Sequence, residues 1–200
     1  MLYGKRMGSL NRTGERMPCA WAQGEDYLHY HNTEWGVPCR DRNKLFEKLC
    51  LEGQQAGLSW ITILRKRENY RACFHGFVPE KIAQMRDADI DALLQNTGLI
   101  RNKLKLYSIR KNALALLKFE QQGGDFVDFV WSFVQGTVVI NTPKDMNDIP
   151  TQTAASEAMS KALKKLGFSF VGPTICYAYM QSMGLVNDHF INCPRHPHNL

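Results

Sequence analysis

The sequence predicts an all-α fold. Three observations carry that expectation. Apolar residues recur at spacings of three and four through most of the chain, as in helices that bury one face. The segments carrying that pattern start at capping residues or proline and stop at glycine. A single short stretch, Val138 to Ile140, reads as a strand.

In order along the chain, Asp41 or Asn43 can cap a helix that sets Leu45, Phe46, Leu49, Cys50 and Ala56 on one face. Ile61 and Leu64 continue the spacing into Arg65-Lys66-Arg67. Ile90, Leu93 and Leu94 mark a short helix before Gly98. Leu106, Ile109, Ala113, Leu116 and Leu117 mark a longer one before Gly123-Gly124. Phe126, Phe129, Val130, Phe133 and Val134 repeat the pattern up to Gly136, and a loop spans Thr137 to Pro150. Ala155, Met159, Ala162, Leu163 and Leu166 form a helix ended by Gly167. Pro173 takes the favoured first position of a helix running to Gly184.

A hydrophobic fraction of 44% with 22% charged residues suits a packed core and excludes a wholly disordered chain. No apolar run approaches the ~20 residues that cross a bilayer. The N-terminus is polar and basic without an apolar signal core, so a cytoplasmic protein with no membrane attachment is expected. Without a repeat or linker, one domain is expected over residues 19–200. A basic, flexible tail over 1–18 precedes it.

The net charge is +6, which favours an anionic partner. The tail holds half of the excess, through Lys5, Arg6, Arg12 and Arg16 against Glu15. No acid falls between Asp91 and Glu120, or between Glu157 and Asp188. Either run alone can be an ordinary solvated face. Together with Arg65-Lys66-Arg67 they suggest a nucleic-acid footprint.

Six cysteines without a secretory signal argue against a disulfide framework. Cys50 and Cys176 fall in helical patterns and read as buried small hydrophobes. Cys19, His31, His189 and Cys193 form a Cys2His2 set at the chain ends, with His29, Cys39, His196 and His198 as spare candidates. The last two of the set are four residues apart, as on one helix turn. Either these are scattered Cys and His at the ends of a cytosolic chain, or they form a closed set of four that suits structural zinc and leaves no position for a catalytic water.

The segment from Lys164 to Thr174 joins two helices through a turn with glycines five residues apart. It is either a glycine-capped αα-hairpin or a cradle for a backbone phosphate at a helix N-terminus. Glu52 follows Leu45 and Leu49 at helical spacing, which turns its carboxylate to the apolar face. Such a group is paired, protonated, or facing a cavity that receives a cation. Trp21, Tyr27, Tyr30, Trp35 and Trp60 lie nearby in sequence, and aromatic faces with one buried carboxylate can hold a flat cation.

Four motifs carry a family resemblance: Tyr30-His31-x-x-Glu34-Trp35-Gly36-Val37-Pro38, Cys50-Leu51-Glu52-Gly53-Gln54-Gln55-Ala56-Gly57-Leu58-Ser59-Trp60, Asp128-Phe129-Val130-Trp131-Ser132-Phe133-Val134 and Gly184-Leu185-Val186-Asn187-Asp188-His189. From about Cys19 to Cys193 the chain resembles the DNA-3-methyladenine glycosylase I family of the helix-hairpin-helix glycosylase superfamily. The resemblance implies a compact helix-hairpin-helix DNA glycosylase fold with a zinc clasp joining the N- and C-terminal segments. It implies one structural zinc on Cys19, His31, His189 and Cys193. It puts the base pocket at Glu52, Tyr30 and Trp60, with Trp21 and Trp35 beside them. It sets the hairpin residues Lys164, Lys165, Gly167, Phe168, Gly172 and Thr174 against DNA. The catalytic aspartate of many superfamily members is matched here by Asn187. Asp188, one residue on, is not given that role.

The implied activity is base-excision repair of alkylated double-stranded DNA by a monomer. N3-methyladenine is extruded from the stack, and Tyr30 and Trp60 stack on it. Glu52 accepts hydrogen bonds from its edge and selects its charge. Water attacks C1′ of the sugar, aided by DNA phosphates and Glu52. Methylation already makes the leaving base cationic, so no general acid is required. No lysine stands in a nucleophile's position, so a monofunctional enzyme without strand cleavage is expected. Leu58 is the candidate wedge for the vacated gap. The competing class is a zinc-stabilised DNA-binding module without turnover. A redox protein or metal hydrolase would need a Cys-x-x-Cys or an open zinc motif, which the sequence lacks.

Overall fold

The structure, a computed structural model, describes residues 17–200. The basic tail expected over 1–18 lies outside the described residues except for Met17 and Pro18. The described chain is helical, as expected, with α1 (Glu25–Thr33), α2 (Arg42–Gln55), α3 (Trp60–Leu64), α4 (Arg67–Cys73), α5 (Pro79–Ala83), α6 (Asp87–Leu93), α7 (Lys103–Gln121), α8 (Phe126–Ser132), α9 (Ala154–Leu166) and α10 (Pro173–Ser182). No described helix is long and apolar enough to cross a membrane.

Helix α2 runs through the centre. The Asp41 side chain accepts the Lys44 N–H and starts it. Leu45, Phe46, Leu49 and Cys50 point inward as expected, but Lys48, Leu51, Glu52, Gly53 and Gln54 are buried too. The helix is enclosed because it packs against α3, α7 and α10 at once. Ala56, expected on its apolar face, instead caps its C-terminus. Helix α7 starts where Asn102 accepts the Lys105 N–H, and buries Leu106, Ile109, Ala113 and Leu116. Helices α9 and α10 pack against each other as a helical hairpin.

Two features escape the sequence pattern. Val139–Ile140 pairs in parallel with Val186–Asn187, a second short strand hidden in a buried stretch. The helical turn expected over His189 to Cys193 is absent. Gly184 (φ 69°) reverses the chain after α10, and the chain then runs extended through the second strand. A tight turn follows, in which the Cys193 N–H meets the Phe190 carbonyl at 2.7 Å.

Two of the motifs prove to be one contact. A methyl group on Gly184 would collide with the backbone of Val37 and Pro38. A methyl on Gly36 (φ 77°) would stand 3.0 Å from His189 Nε2. The Cys39 N–H also bonds the Met183 carbonyl at 3.1 Å. Glycine is used here for close backbone approach.

Candidate active site

Glu52 is buried at 3% exposure and lines a cavity of about 200 Å³. The other walls include Trp21, Tyr27, Tyr30, Trp35, Gln55 and Trp60, with Met146, Ile149 and Gln181 from the far side. All five residues expected at the base pocket are therefore brought together. Helix α2 supplies the carboxylate, α1 supplies Tyr27 and Tyr30, and the first turn of α3 supplies Trp60. Tyr27 is also structural, since its hydroxyl accepts the Ile61 N–H at 3.0 Å and ties α1 to α3.

The carboxylate is both paired and facing a hollow. Its partner is Lys48, one turn earlier on α2, with Nζ 3.2 Å from Oε1. The same ammonium donates to the Tyr30 hydroxyl at 2.6 Å and lies 3.3 Å from the centre of the Trp60 ring. Burial pushes the Lys48 amine down to about 8, against the pull of Glu52. Burial, and then the charge of Glu52, push the Tyr30 phenol well above its ordinary value. Sequence reasoning missed Lys48. The available signal was a Lys–Glu pair four apart on an apolar helix face.

Tyr30 and Trp60 have ring centres 5.6 Å apart and are tilted by 42°. A base held between two rings needs about 7 Å, two contacts of ~3.5 Å. With the rings so placed, no purine fits between the two of them. The Trp60 indole N–H is buried without a partner among the described residues.

Behind the aromatic wall lies a second constellation. Cys19, His31, His189 and Cys193 are all buried, and their ligand atoms lie within 4.8 Å of one another, so the cluster can hold a metal ion. The spare candidates His29, Cys39, His196 and His198 are not among its members. His31 Nδ1 meets Asn32 Oδ1 at 2.8 Å and His189 Nε2 meets the Trp35 carbonyl at 3.1 Å, so each ring turns its other nitrogen to the centre. The N–H groups of Phe190 and Arg195 donate to the sulfurs of Cys19 and Cys193. Hydrogen bonds from Cys19, His189 and His31 hold the Cys193 thiol well below its ordinary value.

The hairpin is built as the sequence suggests, with two exceptions. Gly167 adopts φ 99° and closes α9, while Gly172 has ordinary φ and serves through its openness, since a methyl group there would meet nothing within 4 Å. No side chain caps α10 there. Lys164, Lys165 and Thr174 are exposed. Phe168 is not available to DNA, because its ring is buried against Phe126 with centres 6.1 Å apart. Asn112 of α7 clamps the turn, accepting the Ser169 N–H at 2.8 Å and donating to its carbonyl at 3.2 Å. Leu58 is 41% exposed in the turn between α2 and α3.

Some other parts of the expected basic footprint form ion pairs, whereas Arg101, Lys111 and Lys118 are exposed without one among the described residues. Arg65 pairs with Asp26 at 2.8 Å and Arg67 with Glu34 at 2.5 Å. Lys103 and Arg110 pair with Asp91 and Asp87. Lys105 is buried, donating to the carbonyls of Gln54 and Ala56. Among the described residues, Lys161, Lys164 and Lys165 make no ion pair. Asp188 is buried and accepts from Asn141, Tyr177 and Gln181 at 2.6–2.7 Å, so it is fully engaged as well.

Residues 21–196 match the methyladenine glycosylase family. The chain belongs to that family. It is 56% identical over 182 residues to DNA-3-methyladenine glycosylase 1 of Escherichia coli, covering 90% of this chain and 97% of that one. A crystal structure of a 3-methyladenine DNA glycosylase I superposes with a TM-score of 0.89 at 57% identity, covering 90% of this chain and all of that one. A second, a tyrosine-to-phenylalanine variant in complex with 3-methyladenine, gives 0.86 at 39% identity over 90% of this chain and 97% of that one.

Proposed function

We propose that the chain excises N3-methyladenine from alkylated double-stranded DNA, by hydrolysis of the N-glycosidic bond without strand cleavage, with the cavity at Glu52 as its base pocket. The single observation that carries the reading is a buried carboxylate opening onto an aromatic-walled hollow in a member of this family. Extruding the lesion costs a few kcal/mol, least for a damaged base. In the pocket the cationic purine gains from an aromatic face and from Glu52, and unmodified adenine gains less. The glycosidic bond is already weakened by the base's charge, so the chain's own task is to hold the base, keep Glu52 beside it and exclude bulk water. Water then attacks C1′ of an oxocarbenium-like sugar, with DNA phosphates and Glu52 stabilising that charge.

Residues 19–200 act as a single domain. Lys164, Lys165, Gly167, Gly172 and Thr174 contact a phosphate of the duplex, with Gly167 and Gly172 serving through the backbone. Leu58 fills the gap left by the extruded base. The unit is a monomer, since one chain supplies both cavity and hairpin. Its substrate is met in the cytoplasm.

Zinc fits the Cys2His2 cluster. Ideal tetrahedral coordination by two sulfurs and two nitrogens has edges of roughly 3.3–3.8 Å. Four of the six separations among His31 Nε2, His189 Nδ1 and the two sulfurs run from 3.1 to 3.7 Å, and all six lie within 4.8 Å. Each ligand also has its own outer hydrogen bond. With four protein ligands the ion is structural and joins the N-terminal segment to the C-terminal one.

The test is incubation with methylated duplex DNA and identification of the released bases. Release of 3-methyladenine with the strands left uncut supports the reading. Tight duplex binding with no released base would favour the DNA-binding module instead.

A further inference from the structure

A cation already stands against the wall of this pocket. The Lys48 ammonium sits behind the cavity wall, in contact with the three groups expected to meet the base. It lies 3.2 Å from Glu52 Oε1, 2.6 Å from the Tyr30 hydroxyl and 3.3 Å from the centre of the Trp60 ring. Its side chain is 10% exposed and that of Glu52 4%. The ion pair makes burial of Glu52 tolerable while the cavity is empty. It also neutralises the charge that would attract a cationic purine. When such a base arrives, two cations share one carboxylate away from water, and like charges so close disfavour each other.

We infer that Lys48 is a specificity-determining positioning residue that gives up its proton when a cationic purine docks against Glu52, so that binding exchanges a proton for the base cation. The inference rests on the reading of this cavity as the base pocket. Lys48 is suited to the exchange, because burial already weakens its hold on the proton. The charges acting on it are Glu52 from its own helix and Glu34 beyond α1, which favour the proton, and Arg67 from α4, which opposes it. The contact with Tyr30 survives the exchange, because a phenol can donate to the lone pair of a neutral amine. A neutral purine exerts no such push and must share Glu52 with a charged lysine. Discrimination thus arises from the proton as well as from the pocket walls. The reaction closes the cycle. Base cation plus water become neutral base, a sugar hydroxyl and one proton, so the charge that discharged Lys48 vanishes, and the amine can take a proton again.

The sign follows from linkage. Below the pKa of Lys48 a cation must expel a proton to bind, so its affinity rises with pH and levels off above about 8, while that of a neutral base stays flat. The experiment is calorimetric titration of the whole protein with 3,9-dimethyladeninium, a flat purine of permanent positive charge, and with neutral 9-methyladenine, in buffers of different ionisation enthalpy. At pH 7, release of about one proton per bound cation and none per neutral purine is expected. Lys48→Arg carries a charge that cannot be shed, so it should release no proton and bind the cation at least about tenfold more weakly at pH 8. Cation binding by the native protein without proton release would overturn the role of Lys48 and leave the base pocket standing, and so would equal cation affinity of Lys48→Arg. No binding of the cation would overturn the pocket reading and this inference with it.

Discussion

Trp35 and His189 are joined twice. The Trp35 carbonyl lies 3.1 Å from His189 Nε2, and the two rings meet edge to face with centres 4.7 Å apart. One wall of the cavity is therefore fixed by a residue of the Cys2His2 cluster. Trp21 repeats the arrangement, 5.3 Å from the His31 ring and 5.0 Å from Trp35. The cluster that can hold a metal and the cavity share a wall, although no member of the cluster lines the cavity.

Removing the metal should thus act on the pocket as well as on stability. Metal analysis of the purified protein is expected to give one zinc per chain. Chelation should lower the melting temperature, because binding to a cluster assembled from both chain ends adds to folding free energy. It should also raise KM for methylated DNA before the fold is lost, as Trp21 and Trp35 loosen. A metal-free protein with an unchanged melting temperature and KM would show that zinc supports neither the fold nor the pocket.

Glu52→Gln keeps the shape of the side chain and removes its charge. Excision should fall by roughly 10²–10³, by analogy with removing one donor from an oxyanion hole. Duplex affinity should hold, because the hairpin lies elsewhere. The buried Lys48 left behind can shed its proton, which limits the cost to stability. Single-turnover release of 3-methyladenine, beside a binding curve on undamaged duplex, separates the two effects. Full excision by the variant would take Glu52 out of the reaction.

Much of this site was legible in the sequence because helical spacing alone turns Glu52 inward, and because aromatic side chains rarely cluster in a short segment without a shared surface. The four members of the Cys2His2 cluster were legible as residue types near the two ends. Their convergence was not, since it depends on Gly184 reversing the chain and on a strand pair joining segments nearly fifty residues apart. Lys48 was invisible for a different reason. A lysine among apolar helix neighbours ordinarily extends its charge to water, and only the fold decides that this one does not. The basic runs pointed to an anionic partner without showing which of their charges are free to meet it. Charge in sequence does not disclose partners, and Glu34, Asp26, Asp87 and Asp91 take up cations that would otherwise suit DNA.

Gly184→Ala tests how tightly the two chain ends are drawn together. The residue has φ 69°, and a methyl group there meets the backbone of Val37 and Pro38, which cannot swing aside as a side chain could. Strain and overpacking together should cost about 2–5 kcal/mol. Gly123→Ala is the control, with φ 88° and nothing within 4 Å, and should show the smaller backbone cost alone, about 1 kcal/mol. Urea unfolding of both variants measures the difference. Equal midpoints would mean that the Gly184 contact contributes nothing beyond its backbone angle.

Gly172→Asp separates stability from DNA binding by opposite signs. The position has ordinary φ and open space, so the side chain fits without strain. An aspartate at a helix N-terminus that lacks a side-chain cap should stabilise α10 by about 0.5–1 kcal/mol. The same charge occupies the place proposed for a phosphate and should weaken binding to any duplex, damaged or not. Lys164→Gln with Lys165→Gln approaches the question from the other rim. Each lost phosphate contact should flatten the dependence of log affinity on log salt by about 0.9. Melting curves and duplex titrations at several salt concentrations read both. A Gly172→Asp protein that melts higher and binds duplex as well as the native chain would show that the hairpin is only a helix turn.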